Sequence, residues 1–168
     1  MDNVLTIAEE RLNLFAHMAN SACGLSLWCF GMKKQLYTCT CPAEKEFRLF
    51  LDLGQCLDYA IAHGPESHAP ILMSDPIGML WVAECVWHGD DASYLVILGP
   101  VFDAAASLQT LQNCLRGMNL SVSLTATIME KLEQVPILPL STLHQYIKML
   151  HWVLYEETLD VGLSLIHI

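Results

Sequence analysis

The sequence predicts an α+β domain with a five-stranded antiparallel sheet, flanking helices and a C-terminal helical extension. Three observations favour this class. Five apolar runs have the length of strands, short turns divide them into a pair and a triplet, and segments with helical periodicity lie before, between and after these groups. The predicted segments are helix 3–20, strands 25–30 and 36–40, helix 43–62, strands 70–74, 79–87 and 93–99, and helices 105–118, 121–134 and 141–157.

The first half of the chain is predicted to form a helix, a hairpin and a second helix. Residues 3–20 place their apolar side chains largely on one helical face, and GMKKQ between two apolar runs is a hairpin turn. Pro42 begins the second helix, acidic residues in its first turn favour the N-terminal dipole, and Gly64-Pro65 ends it. Gly54 lies on the apolar face of this helix, where it permits close packing.

The three later strands are predicted to form an antiparallel meander, because only the turns DPIG and HGDDA separate them. The last strand, SYLVILG, is almost entirely apolar, which predicts a central strand covered on both faces. Gly99 is expected to end this strand, Pro100 to stop further pairing, and Asp103 to cap the next helix. Five antiparallel strands with one helix after the second suit a PAS- or GAF-like domain.

The composition restricts the class of function. Eighteen acidic and 8 basic residues give a net charge of −10, which opposes direct binding to nucleic acid. The sequence has no apolar run of the roughly 20 residues that span a bilayer and no signal-peptide pattern, so we expect a cytoplasmic chain without a membrane partner. Its seven cysteines lie mostly in apolar runs, as small core residues do in a reducing compartment.

The candidate reactive motifs lack the chemistry that they need. GPVF, residues 99–102, has one glycine and no lysine at the spacing of a phosphate-binding loop. Cys39 and Cys41 in CTCP have no second ligand pair for zinc, so packing in the core is favoured over a metal or redox role. No cysteine is placed in a strained turn as a nucleophile. We therefore expect no catalytic residues, no metal and no cofactor.

Aromatic and sulfur-containing side chains are the best candidates for a ligand site. Strand alternation places Trp28 with Phe30 and places Trp81 with Cys85. We predict that these four and Tyr94 lie between the concave face of the sheet and helix 43–62. Such residues either line a small-molecule cavity or fill an ordinary core, and the sequence leaves both interpretations open.

The last helix is the candidate dimer interface. Its first apolar stripe is expected to pair with a second copy and consists of Leu143, Ile147, Leu150 and Leu154, with Val161 continuing the series if the helix extends. A second stripe, formed by Tyr146, Met149 and Val153, lies beside it. The alternative is that the helix is covered on both sides within one chain, for example by residues 3–20.

Two segments carry a resemblance to a known family. SYLVILGPVF and VPILPLSTLHQYIKMLHWVLYEE resemble the N-terminal sensor region of bacterial AraC-type transcriptional regulators, of the kind found in Firmicutes. The resemblance implies a PAS/GAF-like sensor domain over residues 1–134. Residues 135–168 would be a signalling and dimerisation helix that leads to a DNA-binding domain absent from this chain.

The resemblance also implies the partners. They are an unknown small-molecule effector, a second copy in a homodimer, and DNA only through the missing domain. Two other functions stay open at this point, a ligand-free dimerisation module and a small enzyme that uses a cysteine or a histidine. An apolar cavity of a few hundred cubic ångströms would favour the sensor over the dimerisation module.

Overall fold

The computed structural model describes residues 2–159 and 165–167. It confirms the α+β class, with six helices and six strands in the described part of the chain. The elements are α1 (Asp2–Cys23), β1 (Leu27–Gly31), β2 (Leu36–Cys39), α2 (Glu44–Leu53), α3 (Cys56–Ser67), β3 (Ile71–Ser74), β4 (Leu80–His88), β5 (Asp91–Val101), α4 (Leu108–Arg116), α5 (Val122–Leu132), α6 (Leu140–Tyr155) and β6 (Leu165–His167).

The strands form one mixed sheet in the order β2-β1-β5-β4-β3-β6. Strands β1 to β5 pair antiparallel, whereas β6 pairs parallel with β3, opposite Leu72 to Ser74. The predicted five-stranded antiparallel sheet is therefore only an approximate description. The sequence did not reveal β6, because a strand of three residues with a distant partner has no periodicity of its own.

Strand β5 separates two hydrophobic cores. Leu95 and Ile97 face α2 and α3, while Val96 and Leu98 face α1 and α6. All four side chains are fully buried, which confirms a central strand covered on both faces. The first face is rich in rings and sulfur, and the second is mostly aliphatic.

The predicted single helix 43–62 is two helices. It breaks at Gly54 and Gln55, and Gln55 has a left-handed backbone with φ of 59°. A Cβ at Gly54 would lie 3.2 Å from both Asp75 Cβ and Pro76 Cδ, so glycine permits the expected close packing, against the β3–β4 turn. Pro65 does not end α3 either. The helix continues to Ser67, because a proline removes one donor near the helix end without stopping the last turn.

The end of β5 also differs from the prediction. The strand continues through Pro100 to Val101, which pairs with Leu80, because an irregular register between β4 and β5 accommodates the missing donor of the proline. Asp103 does not cap the next helix. Ser107 does so, since its Oγ accepts a hydrogen bond from Thr110 N at 3.1 Å.

Helices α1 and α6 lie together on the second face of the sheet. Phe15 and Ala19 of α1 and Ile147 of α6 are buried in the same aliphatic core. Arg11 and Glu156 form an ion pair where α6 ends. None of the described helices is both long enough and apolar enough to cross a membrane.

Candidate functional site

The predicted ligand-binding rings form a filled core between the sheet and helices α2 and α3. Trp28, Phe30 and Trp81 are fully buried. The ring of Trp28 stacks on Phe30 and meets the edge of Trp81, with centroids 6.0 Å apart in both pairs. Trp28 Nε1 donates to Gly99 O at 2.9 Å, and Trp81 Nε1 donates to Asp75 Oδ2 at 3.0 Å. The rings contact one another and their donors are satisfied, as in an ordinary core.

The other two predicted residues lie on opposite faces. Cys85 belongs to the aromatic core and pairs with Leu95 across the strands. Tyr94 pairs with Val86 and packs with the aliphatic core, so its grouping with the other four residues is wrong. Direct partners in an antiparallel pair share a face, and the sequence does not fix that register.

Tyr94 instead lines a cavity beside α1. The cavity has a volume of about 370 Å³, near the lower limit of small-molecule sites. It lies between α1 and strands β1, β2 and β5. Its lining residues are Glu9, Leu12, Asn13, Cys29, Tyr37, Thr38 and Tyr94.

The lining of this cavity, which we call the Tyr94 cavity, is polar but weakly charged. Burial, followed by Cys29 and Glu9, raises the pKa of Tyr94 to about 12. Burial, followed by Glu9, raises the pKa of Cys29 to about 11. Both groups are therefore neutral at pH 7. Glu9 is the one carboxyl among the described lining residues, which include no lysine, arginine or histidine. This arrangement suits a neutral or cationic ligand and disfavours an anion.

The predicted dimer stripe is buried within its own chain. Leu143, Ile147 and Leu150 are fully buried in the aliphatic core, and Leu154 is half-buried against it. The prediction that this stripe faces a second copy is therefore wrong, because the sheet covers it first. Val161 lies outside the described residues.

The second stripe of α6 lies beside α1, but it is not covered as fully as the alternative interpretation of the sequence proposed. Met149 and Val153 line an apolar groove of about 240 Å³ together with Leu14 and Met18 of α1. The side chains of Leu14, Met18 and Met149 are 62%, 57% and 46% exposed, and Trp152, three residues after Met149 on α6, is 51% exposed. We call these four residues the α1–α6 strip.

A buried polar pair joins α6 to the sheet. Glu84 Oε1 and His151 Nδ1 form a hydrogen bond, and both side chains are buried. Burial raises the pKa of Glu84, and the contact with His151 opposes that rise. Glu84 Oε2 has no partner. Tyr155 OH donates to Cys85 O beside this pair.

Sequence reasoning missed this pair. It gave neither Glu84 nor His151 a role. The available signal was an acidic residue among apolar neighbours on a strand, since a buried carboxylate needs a partner.

Metal ligands do not gather anywhere in the described part of the chain, where no three His, Cys, Asp or Glu side chains are close enough to hold an ion. Cys39 and Cys41 are close to each other, without a third ligand. No protein-family model matches this chain, and no curated protein matches it.

Proposed function

We propose that this chain is the effector-sensing domain of a bacterial transcriptional regulator, which relays ligand binding to a helix-turn-helix DNA-binding domain on the same protein. The Tyr94 cavity carries the proposal, since it has the size and the mixed lining of a small-molecule site. Five consecutive antiparallel strands, with helices after the second, support the PAS/GAF-like class. The resemblance to AraC-type sensor regions adds the DNA-binding partner domain.

Helix α1 provides a physical route from ligand to output. Glu9 and Asn13 face the cavity, and Arg11 between them pairs with Glu156, the residue that ends α6. A ligand that contacts α1 therefore acts on the helix that holds the C-terminal end of α6. The proposed DNA-binding domain follows β6, the strand that the chain forms after α6. The ligand needs only to favour one of two α1–α6 arrangements over the other.

Ligand screening of the cavity tests this proposal. Mass spectrometry of molecules that co-purify with the native domain supplies candidates, and thermal unfolding ranks them. A ligand at 100 times its Kd stabilises a domain by about 2.7 kcal/mol, so we expect the Tm to rise by roughly 5–10 °C. Thr38→Trp fills the cavity from an exposed strand position and should abolish this rise.

Thr127→Trp, on the exposed surface of α5, is the matched control and should keep the rise. An equal response from both tryptophan variants would place the ligand elsewhere and remove the basis of the proposal. We expect neutral or amine-bearing molecules to succeed and carboxylates or phosphates to fail, because Glu9 repels them.

A second function, dimerisation, is favoured by a separate observation. The α1–α6 strip is apolar and exposed, whereas the residues predicted to form a dimer interface are buried. A second copy that covers this strip would remove its apolar surface from water. Sedimentation at about 100 μM, well above a micromolar Kd, should then detect a dimer. Met149→Glu with Trp152→Glu should yield a folded monomer, and a wild-type monomer at that concentration would exclude dimerisation through this strip.

A further inference from the structure

A pair of cysteines lies where β2 turns into α2, and neither of them lines the Tyr94 cavity or belongs to the α1–α6 strip. Cys39 is the last residue of β2, and Cys41 lies three residues before the start of α2. The backbone N–H of Cys41 donates to Cys39 Sγ at 3.2 Å. A side chain that accepts from the N–H two residues later closes a tight turn, which brings the two side chains together.

The two thiols also interact directly. The hydrogen bond from the Cys39 thiol is the largest cause that lowers the pKa of Cys41, to about 7, and the Ala43 N–H and the Ser26 hydroxyl act in the same direction against burial. The same bond raises the pKa of Cys39. Of the two thiols, Cys41 is therefore the one that loses its proton more readily. Burial raises the pKa of Cys29, Cys56 and Cys85, so those thiols stay protonated at pH 7.

Small molecules can reach Cys41. It lines a cavity of about 140 Å³, whose mostly apolar walls also carry Asn20, Ser26 and Gln134. This volume holds a few water-sized molecules and excludes most metabolites. Cys39 is half-buried. A cysteine that lines a small cavity and has a second thiol beside it is the arrangement of a peroxidatic and a resolving cysteine.

We propose that Cys39 and Cys41 form a reversible dithiol–disulfide site that small hydroperoxides oxidise. The Cys41 thiolate attacks the terminal peroxide oxygen; the O–O bond breaks, and the released alkoxide or hydroxide takes up a proton. Cys41 becomes a sulfenic acid. The Cys39 sulfur then attacks that sulfur, an S–S bond forms, and the hydroxyl leaves as water with the Cys39 proton. A dithiol reductant returns both cysteines to thiols.

Peptide mass spectrometry tests the site in the unmodified protein. Cleavage after Lys34 and Lys45 releases residues 35–45, which contain these two cysteines and no other. After hydrogen peroxide at pH 7, with remaining thiols alkylated, we expect this peptide to lose two hydrogens before Cys23 or Cys114 is oxidised. Dithiothreitol should restore both thiols. The proposal is wrong if residues 35–45 stay reduced while Cys114 is oxidised.

Two substitutions at Cys39 separate its roles. Cys39→Ser keeps a hydrogen-bond donor but cannot form a disulfide, so Cys41 should stop at the sulfenic acid, which dimedone traps. Cys39→Ala removes the donor as well, so the pH midpoint of Cys41 alkylation should rise from about 7 toward the ordinary range near 8.5. Cys114→Ser is the control and should change neither result.

If the pH midpoint of Cys41 alkylation is the same in wild-type protein and in Cys39→Ala, the Cys39 thiol does not lower the pKa of Cys41 by a hydrogen bond. A serine variant that forms no dimedone adduct would overturn the peroxidatic role of Cys41. The wild-type peptide result stands whether or not either variant folds.

Discussion

The two faces of the sheet are built differently. Toward α2 and α3, aromatic rings interlock and their polar atoms have partners, as Asp75 shows by accepting from Ile77 N, Met79 N and Trp81 Nε1. Toward α1 and α6, the core is aliphatic, Glu84 Oε2 has no partner, and cavities of about 240 and 370 Å³ lie along the helices, whereas cavities of about 140 and 210 Å³ border the aromatic core. Under the proposed function, the first face serves as the scaffold and the second is the face on which a ligand acts.

A filled aromatic core suits a fixed scaffold, because close-packed interiors tolerate little displacement. The second face has an unsatisfied polar atom, an exposed apolar strip and a ligand-sized cavity. These features suit a face on which the helices can adopt two arrangements. The proposed sensing function therefore belongs to α1 and α6, on the face opposite the one that the aromatic residues predicted.

The largest effect is expected in the aromatic core. Trp81→Ala removes a fully buried ring and its bond to Asp75, so the free energy of unfolding should fall by about 4 kcal/mol. Leu108→Ala, which shortens a side chain that is 62% exposed at the start of α4, is the control and should change it by less than about 0.5 kcal/mol. Urea unfolding measures both. Similar losses for the two variants would contradict the role of the aromatic core as a stabilising scaffold.

The buried pair on the second face should show the next largest effect. His151→Ala leaves Glu84 without a partner and should cost about 3 kcal/mol at pH 8. The cost should become smaller as the pH falls, because burial raises the pKa of Glu84 and its protonated form needs no charged partner. Replacing both residues by leucine should restore most of the stability. If the double variant is as unstable as His151→Ala, the cost is one of packing and not of the buried charge.

The features that could be predicted from the sequence are those that leave a local pattern in it. Strands with alternating or continuous apolar residues, such as the run around Val96, were recognisable because burial imposes a period on them. Register and pairing between distant segments left no local trace, so the face of Tyr94, the strand β6 and the contact between Glu84 and His151 were missed. The surface left open on α6 was missed for the same reason, because it depends on which stripe the sheet covers.

Asp75 should make the stability of the first face depend on pH. Burial raises the pKa of Asp75 from its ordinary 3.8 to about 6, although hydrogen bonds from Trp81, Met79 and Ile77 oppose the rise. The folded state therefore binds this proton more tightly than the unfolded state. Its contribution to stability is full below about pH 3.8 and is lost as the pH rises through about 6, by about 3 kcal/mol in total.

Asp75→Asn isolates this contribution, because asparagine cannot ionise. The variant keeps an acceptor for Ile77 N and Met79 N but turns a donor toward Trp81, so it should be less stable than wild type at pH 4 by roughly 1–2 kcal/mol. That deficit should shrink or reverse by pH 8. Urea midpoints at both pH values measure it. A deficit that grows with pH would show that the hydrogen bonds outweigh the burial of the carboxylate.

The smallest effect on stability is expected at the contact between Arg11 and Glu156, and its size bears on signalling. The side chains are 37% and 59% exposed, so Arg11→Ala should cost less than about 1 kcal/mol. The same change should affect α6 more than the core, since this ion pair holds the end of the helix. Hydrogen exchange should therefore become faster at residues 150–155 and stay unchanged in β5.

Glu10→Ala is the matched control, because Glu10 is also an exposed charge on α1 and lies next to Arg11. If the α6 residues exchange equally in both variants, α1 does not restrain α6 through this contact, and the route from the Tyr94 cavity to α6 must pass through the buried core.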